Sequence, residues 1–167
     1  MDCLLAVDRW KVVVHNDVSI FWNSLVKRGV TKEGRTWTLK DDVRWIGGIK
    51  KFYNRECYDT LKATCNSNEL VLVMGTPGIG KTMFLQRLLV DIVTGVAPPQ
   101  QLPIIDYLTS EEGKVVVYRL LPNGTVTYGD SNFVDYVLSD SVDISRPRGT
   151  KLTILVASDK DVNYNEF

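Results

Sequence analysis

The stretch Leu70-Val71-Leu72-Val73-Met74-Gly75-Thr76-Pro77-Gly78-Ile79-Gly80-Lys81-Thr82 decides the fold. Its first five residues are an apolar run of the kind that forms a central parallel strand covered on both faces. Its last eight match G-x-x-x-x-G-K-[ST] at every fixed position. Beyond them, Thr82 to Thr94 is rich in Leu, Val and Ile and reads as a helix, ended by Gly95 and then Pro98-Pro99. Strand, glycine-rich loop and helix in that order make a phosphate cradle. Glycine lets the loop wrap closely enough for backbone N–H groups to face a phosphate. The helix start adds free N–H groups and a positive dipole end. Gly75, Thr76, Pro77, Gly78, Ile79, Gly80, Lys81 and Thr82 are therefore the candidate nucleotide-binding residues. Lys81 is expected to reach the β- and γ-phosphates, and the Thr82 hydroxyl to ligate Mg²⁺. The structural alternative is a glycine-rich turn that binds nothing.

A metal at Thr82 needs an acidic partner, normally an Asp at the end of an apolar strand. Asp140, after Tyr136-Val137-Leu138-Ser139, is the leading candidate, with a solvated turn Asp as the alternative. Asp106 is the rival, although Pro103 ahead of it weighs against a central strand. No Glu follows Asp140 directly, and Asp143 lies three residues beyond, so no water-activating acid stands out. Ser158, closing the run Leu152 to Ala157, is a candidate to sense the γ-phosphate or position water; otherwise it caps a helix. Arg146 and Arg148 are weak candidates for an arginine finger on a surface loop. His15, the single histidine, has no chemistry assigned.

Working outward, Val115 to Leu120 and Thr125 to Tyr128 read as a hairpin around Pro122-Asn123-Gly124. Residues 96–113 show no convincing long strand, whereas Tyr136 to Leu138 and Leu152 to Ala157 do read as strands. Alternation of strands with crossovers predicts an α/β sheet. The chain changes character near residue 69, giving an aromatic-rich extension at 1–68 and a nucleotide-binding domain at 69–167. In the extension, Val12 to Val14 reads as a strand. A helix is predicted over 18–27 with Asp17 as its cap. Thr31 to Arg35 looks like a turn, Thr36 to Lys40 like a short strand, and Asp41 or Asp42 like the start of a short helix. Ile49 to Cys65 reads as helix throughout. Trp10, Trp22, Trp37 and Trp45 are expected in a satellite core, because each ring hides a large area.

Composition narrows the classes. The 167 residues are 44% apolar and 24% charged, with four Trp, seven Tyr and five Phe, which excludes overall disorder. A chain of this size buries about 70% of its unfolded surface without staples. No apolar run approaches membrane-spanning length. The start at Met1 to Asp8 lacks a basic flank and a long apolar region, which argues against a signal peptide. Cys3, Cys57 and Cys65, odd in number and without CxxC spacing, read as reduced intracellular thiols. Residues 1–68 hold 12 Lys/Arg against 8 Asp/Glu, and 69–167 hold 8 against 12. Neither half is polarised enough to argue for a nucleic-acid surface.

Three segments resemble the ATPase modules of Crinkler-type effectors and of retrotransposon-hot-spot proteins. They are Lys51 to Asp59, Val73 to Leu85, and Leu155 to Asp159 followed by Asn163 to Phe167. The likeness spans roughly residues 45–167. It implies a P-loop NTPase with an AAA/RecA-like parallel sheet, carrying a small N-terminal α/β extension, within a longer multidomain protein that acts in the nucleus. Two details depart from the family: Ser158 precedes Asp159 where a proline is common, and Asp140 precedes Ser141 where a glycine is typical. Because the chain ends within ten residues of the run Leu152 to Ala157, an incomplete sheet is expected, served by a protein partner or a missing C-terminal domain. The leading functional expectation is Mg²⁺-dependent ATP binding with slow hydrolysis. The alternatives are a non-catalytic nucleotide-dependent switch and a small nucleotide or metabolite kinase, the latter lacking an Arg-rich lid.

Overall fold

A computed structural model describes residues 12–13, 15–75, 78–95, 102–129, 134–140 and 149–158, and these form a mixed α/β fold. The strands are β1 (Val12–Val13), β2 (Val30–Glu33), β3 (Thr36–Leu39), β4 (Phe52–Tyr53), β5 (Leu70–Gly75), β6 (Ile105–Glu111), β7 (Lys114–Leu120), β8 (Val126–Tyr128), β9 (Val134–Asp140) and β10 (Gly149–Ser158). The helices are α1 (Asp17–Arg28), α2 (Glu56–Asn66) and α3 (Lys81–Thr94). Among the described residues no helix is long and apolar enough to cross a membrane.

Seven strands make the main sheet in the order β1-β8-β7-β6-β9-β10-β5. β5, β10, β9 and β6 run parallel, and β7, β8 and β1 extend the sheet with antiparallel pairs. A small antiparallel sheet, β2-β3-β4, lies in the N-terminal part. β10 lies between β5 and β9. The central position predicted for the run Leu70 to Met74 does not hold. Among the described residues β5 is an edge strand, with Leu70 54% exposed while Val71 and Val73 are buried. An apolar run at an edge looks the same in sequence as one at the centre, since both can pack a helix on one face.

α3 packs on β5, β10 and β9. Leu88 and Ile92 of this helix line a cavity of about 150 Å³ together with Leu138, Leu152 and Ile154 of the sheet. Leu85 and Leu89 are fully buried. Val13, Phe21, Trp22, Trp37, Trp45 and Phe52 belong to the same continuous core as Leu138, Ile154 and Val156. Trp22, Trp37 and Trp45 are buried as expected, but in this main core and not in a satellite one, because the small sheet and α1 pack directly onto it; Trp10 lies outside the described residues.

Several local expectations give way. The cap of α1 is Asn16, not Asp17: its side chain accepts from the Ser19 N–H at 2.8 Å, and Ser19 Oγ accepts from the Asn16 N–H at 3.3 Å. Asp17 sits in the first turn, where its charge faces the helix dipole. Thr31 to Glu33 is strand, and only Gly34-Arg35 turns. Asp41 and Asp42 lie in a short 3₁₀ segment with φ of 57° and 55° and start no further helix. The long helix expected from Ile49 begins only at Glu56, because Phe52-Tyr53 pairs with Thr36-Trp37 as β4. Residues 105–111 form a seven-residue strand where none was expected.

Candidate functional site

The parallel order of β5, β10 and β9 brings three chain segments to one sheet edge. Ser158 on β10 is in register with Gly75 at the end of β5, and Leu155 is in register with Ser139. Asp140 therefore closes β9 close to the point where β5 gives way to the loop. At Ser158 only the backbone is described, and Thr76, Pro77, Asp143, Arg146 and Arg148 lie outside the described residues.

Gly78 and Gly80 hold φ of 80° and 95°, so the loop turns through left-handed backbone that L side chains rarely adopt. Gly80 is also pinned sterically, since a Cβ there would lie 2.6 Å from the Tyr58 hydroxyl oxygen. From Gly80 the chain enters α3, whose first residues are Lys81 and Thr82. The Lys81 ammonium folds back over the loop and donates to the Gly75 carbonyl at 2.6 Å. The Thr82 hydroxyl donates to Asp140 Oδ1 at 2.9 Å. Thr82 and Asp140, 58 residues apart in sequence, are in direct contact.

Burial pushes the Asp140 carboxyl above the usual carboxylate range, and the Thr82 hydrogen bond and the Lys81 charge pull it back. Tyr107, on β6 beyond β9, is fully buried, and its phenol is held well above the ordinary tyrosine value by burial and then by the Asp140 charge. Two further residues grip the loop. Arg55 Nη1 donates to the Ile79 carbonyl at 2.7 Å, and the Tyr58 hydroxyl donates to the Gly80 carbonyl at 2.8 Å. Arg55 and Tyr58 carry no predicted role. Their only sequence signal is membership of the segment Lys51 to Asp59, because spacing cannot show that the start of α2 reaches a loop more than twenty residues on.

Asp106, the rival candidate, lies elsewhere on the sheet. It forms a buried two-point ion pair with Arg119, at 2.9 Å and 3.1 Å, and faces Val137 in register, three residues short of Asp140. Three residues of strand are about 10 Å. His15 lines a separate cavity of about 410 Å³ with Val13, Ser24 and Thr125. Cys57 is exposed; Cys65 is buried, its thiol raised by burial to about 11, so it is a poor nucleophile.

The donor set suits a hard cation. A hydroxyl oxygen and a carboxylate side by side match Mg²⁺, which takes one or two protein oxygens and completes its shell with water and phosphate. Among the described residues no group of three His, Cys, Asp or Glu could hold a metal alone. A lysine, a helix N-terminus and two glycine-shaped turns supply the positive side of such a site. These features are properties of the chain itself: no protein-family model, curated protein or solved structure matches it.

Proposed function

We propose that this chain is a Mg²⁺-dependent ATP-binding module of the P-loop type, with slow ATP hydrolysis. One observation carries the proposal: the Thr82 hydroxyl lies on Asp140 at 2.9 Å at the end of a parallel strand two places from β5. A turn without a ligand has no need to bring a loop threonine to a strand-end aspartate that burial makes costly to ionise. The order β5-β10-β9-β6 supports an AAA/RecA-like sheet, and the resemblance to Crinkler-type and hot-spot-like modules is in line with it.

In this reading, backbone N–H groups from Gly78 to Thr82 hold the phosphate chain, and Lys81 exchanges its Gly75 carbonyl contact for phosphate oxygen. Thr82 and Asp140 hold the cation, which neutralises the charge of the β- and γ-phosphates. Arg55 and Tyr58 keep the loop open by occupying its outward carbonyls. Turnover also needs a positioned water and compensation for charge on the transferring phosphoryl group. Ser141 rather than an acid follows Asp140, and Arg55 is tied to Ile79, so turnover is slow, below about 0.01 per second. No N-K-x-D segment is present to read guanine, which favours ATP.

Calorimetry with ATP and Mg²⁺ on wild type and Lys81→Ala tests binding. The variant is expected to bind at least tenfold more weakly, about 1.4 kcal/mol. Equal dissociation constants would remove Lys81 from the site and overturn the proposal. Phosphate release measured on the same two proteins tests turnover. Tight binding with no Lys81-dependent release favours the nucleotide-dependent switch over the enzyme.

A further inference from the structure

Among the described residues three buried side-chain polar atoms have no hydrogen-bond partner: Ser24 Oγ, Trp45 Nε1 and the Tyr107 hydroxyl. Buried polar groups are nearly always satisfied, so each exception asks for an explanation. Ser24 borders the larger cavity, and Trp45 sits among aromatic rings. Tyr107 is different. It pairs in register with Leu138, and side chains alternate along a strand, so it shares a sheet face with Leu138 and with Asp140 two residues on. This is the face under α3, where Thr82 meets Asp140. The hydroxyl feels the Asp140 charge, which places the two groups within electrostatic reach.

We propose that Tyr107 is a positioning residue of the cation site, its hydroxyl donating to a metal-bound water that Asp140 also holds. The inference rests on the Mg²⁺–ATP reading above. The chemistry favours a donor. Burial and the neighbouring carboxylate both keep the phenol protonated, so the group always has a proton to give. Asp140 Oδ1 already accepts from Thr82, so a second donor on the same side orders the cation's water shell without competing for that oxygen. Keeping such a hydroxyl unsatisfied weakens the ligand-free fold and is repaid only when a ligand supplies the acceptor.

Tyr107→Phe separates this role from a packing role. Expected is urea stability of the ligand-free protein equal to or above wild type, because the variant removes an unpartnered buried hydroxyl. ATP affinity without Mg²⁺ is expected to stay unchanged, and the extra affinity conferred by Mg²⁺ to fall roughly three- to tenfold. Fluorine NMR of protein labelled with fluorotyrosine gives a second readout: the Tyr107 resonance, identified by its loss in the variant, shifts when Mg²⁺ is added to the ATP complex. The same Mg²⁺ dependence in both proteins overturns the inference, as does a Tyr107 resonance that ignores Mg²⁺. A variant less stable than wild type with intact Mg²⁺ dependence also overturns it, since the hydroxyl would then serve the fold. Wild-type protein that binds no ATP overturns the underlying reading instead, and is recognised before the variant is made.

Discussion

Asp140 holds a charge that its surroundings disfavour. Its folded pKa lies above the ordinary carboxylate value, so the folded chain binds this proton more tightly than the unfolded one. Stability from the group is therefore full below the ordinary value and is lost as pH rises through the raised one. Asp140→Asn keeps an oxygen for Thr82 and removes the charge. Urea unfolding at pH 7 is expected to show the variant more stable than wild type, with the gap closing toward acid pH. Calorimetry should show that it has lost the Mg²⁺-dependent part of ATP binding. A variant less stable than wild type at pH 7 would mean that the carboxylate is well satisfied. The meeting of Thr82 with Asp140 was legible in the sequence: Thr82 follows from the motif, and Asp140 from its place after an apolar run. The places of Tyr107, Arg55 and Tyr58 beside them were not, because these come from strand register and helix placement, which leave no trace in local spacing.

Among elements, β6 shows how charge hides a strand. Asp106 interrupts the apolar run after Pro103, yet Arg119 on β7 sits directly opposite and pairs with it, so the strand crosses the sheet interior. The hairpin that follows turns on Glu112-Gly113, both with positive φ, a two-residue turn that the Glu disguises. β4 was lost for a different reason: Phe52 and Tyr53 fit a helical face as well as a strand, and only pairing with β3 decides between them. α3 is tied to these N-terminal pieces through Arg87. This buried guanidinium bonds Asp91 at 3.0 Å, Asn54 at 2.9 Å and Asp59 at 2.9 Å, and lies 5.4 Å from the Trp37 ring. Arg87→Ala is expected to cost about 3 kcal/mol in urea unfolding, because Asp91 and the Asn54 side chain lose a shared partner. Arg87→Lys should recover little, since an ammonium cannot reproduce a planar fork. A loss below about 1 kcal/mol for Arg87→Ala would show the network to be ornamental.

Across the whole molecule, aromatic rings link the two halves of the sequence. Phe21, Trp45, Phe52, Tyr58 and Phe84 form a chain with successive centroids 5.7, 4.9, 6.0 and 5.6 Å apart, running from α1 to the helix that carries Lys81. β1 meanwhile joins the main sheet beside β8, and the Trp22 indole N–H donates to the Leu121 carbonyl at 2.8 Å. Tryptophan fluorescence reports on the N-terminal half, and far-ultraviolet circular dichroism on all the strands and helices. Their denaturation midpoints are expected to coincide, as in one cooperative unit. Separated midpoints would show that the aromatic chain does not couple the halves. The edge position of β5 also shapes how this molecule is made. Among the described residues β5 pairs only with β10, which begins some 75 residues later in the chain. At ribosomal speeds of about 5–20 residues per second, that separation lasts about 4–15 s. For that interval the nascent strand ending at Gly75 waits without its sheet neighbour, an apolar segment suited to chaperone capture. Asp140, too, is synthesised long after Thr82, so the phosphate loop exists as sequence well before it has a wall. On the proposed function, nucleotide steadies only the finished sheet and takes no part in protecting the half-made one.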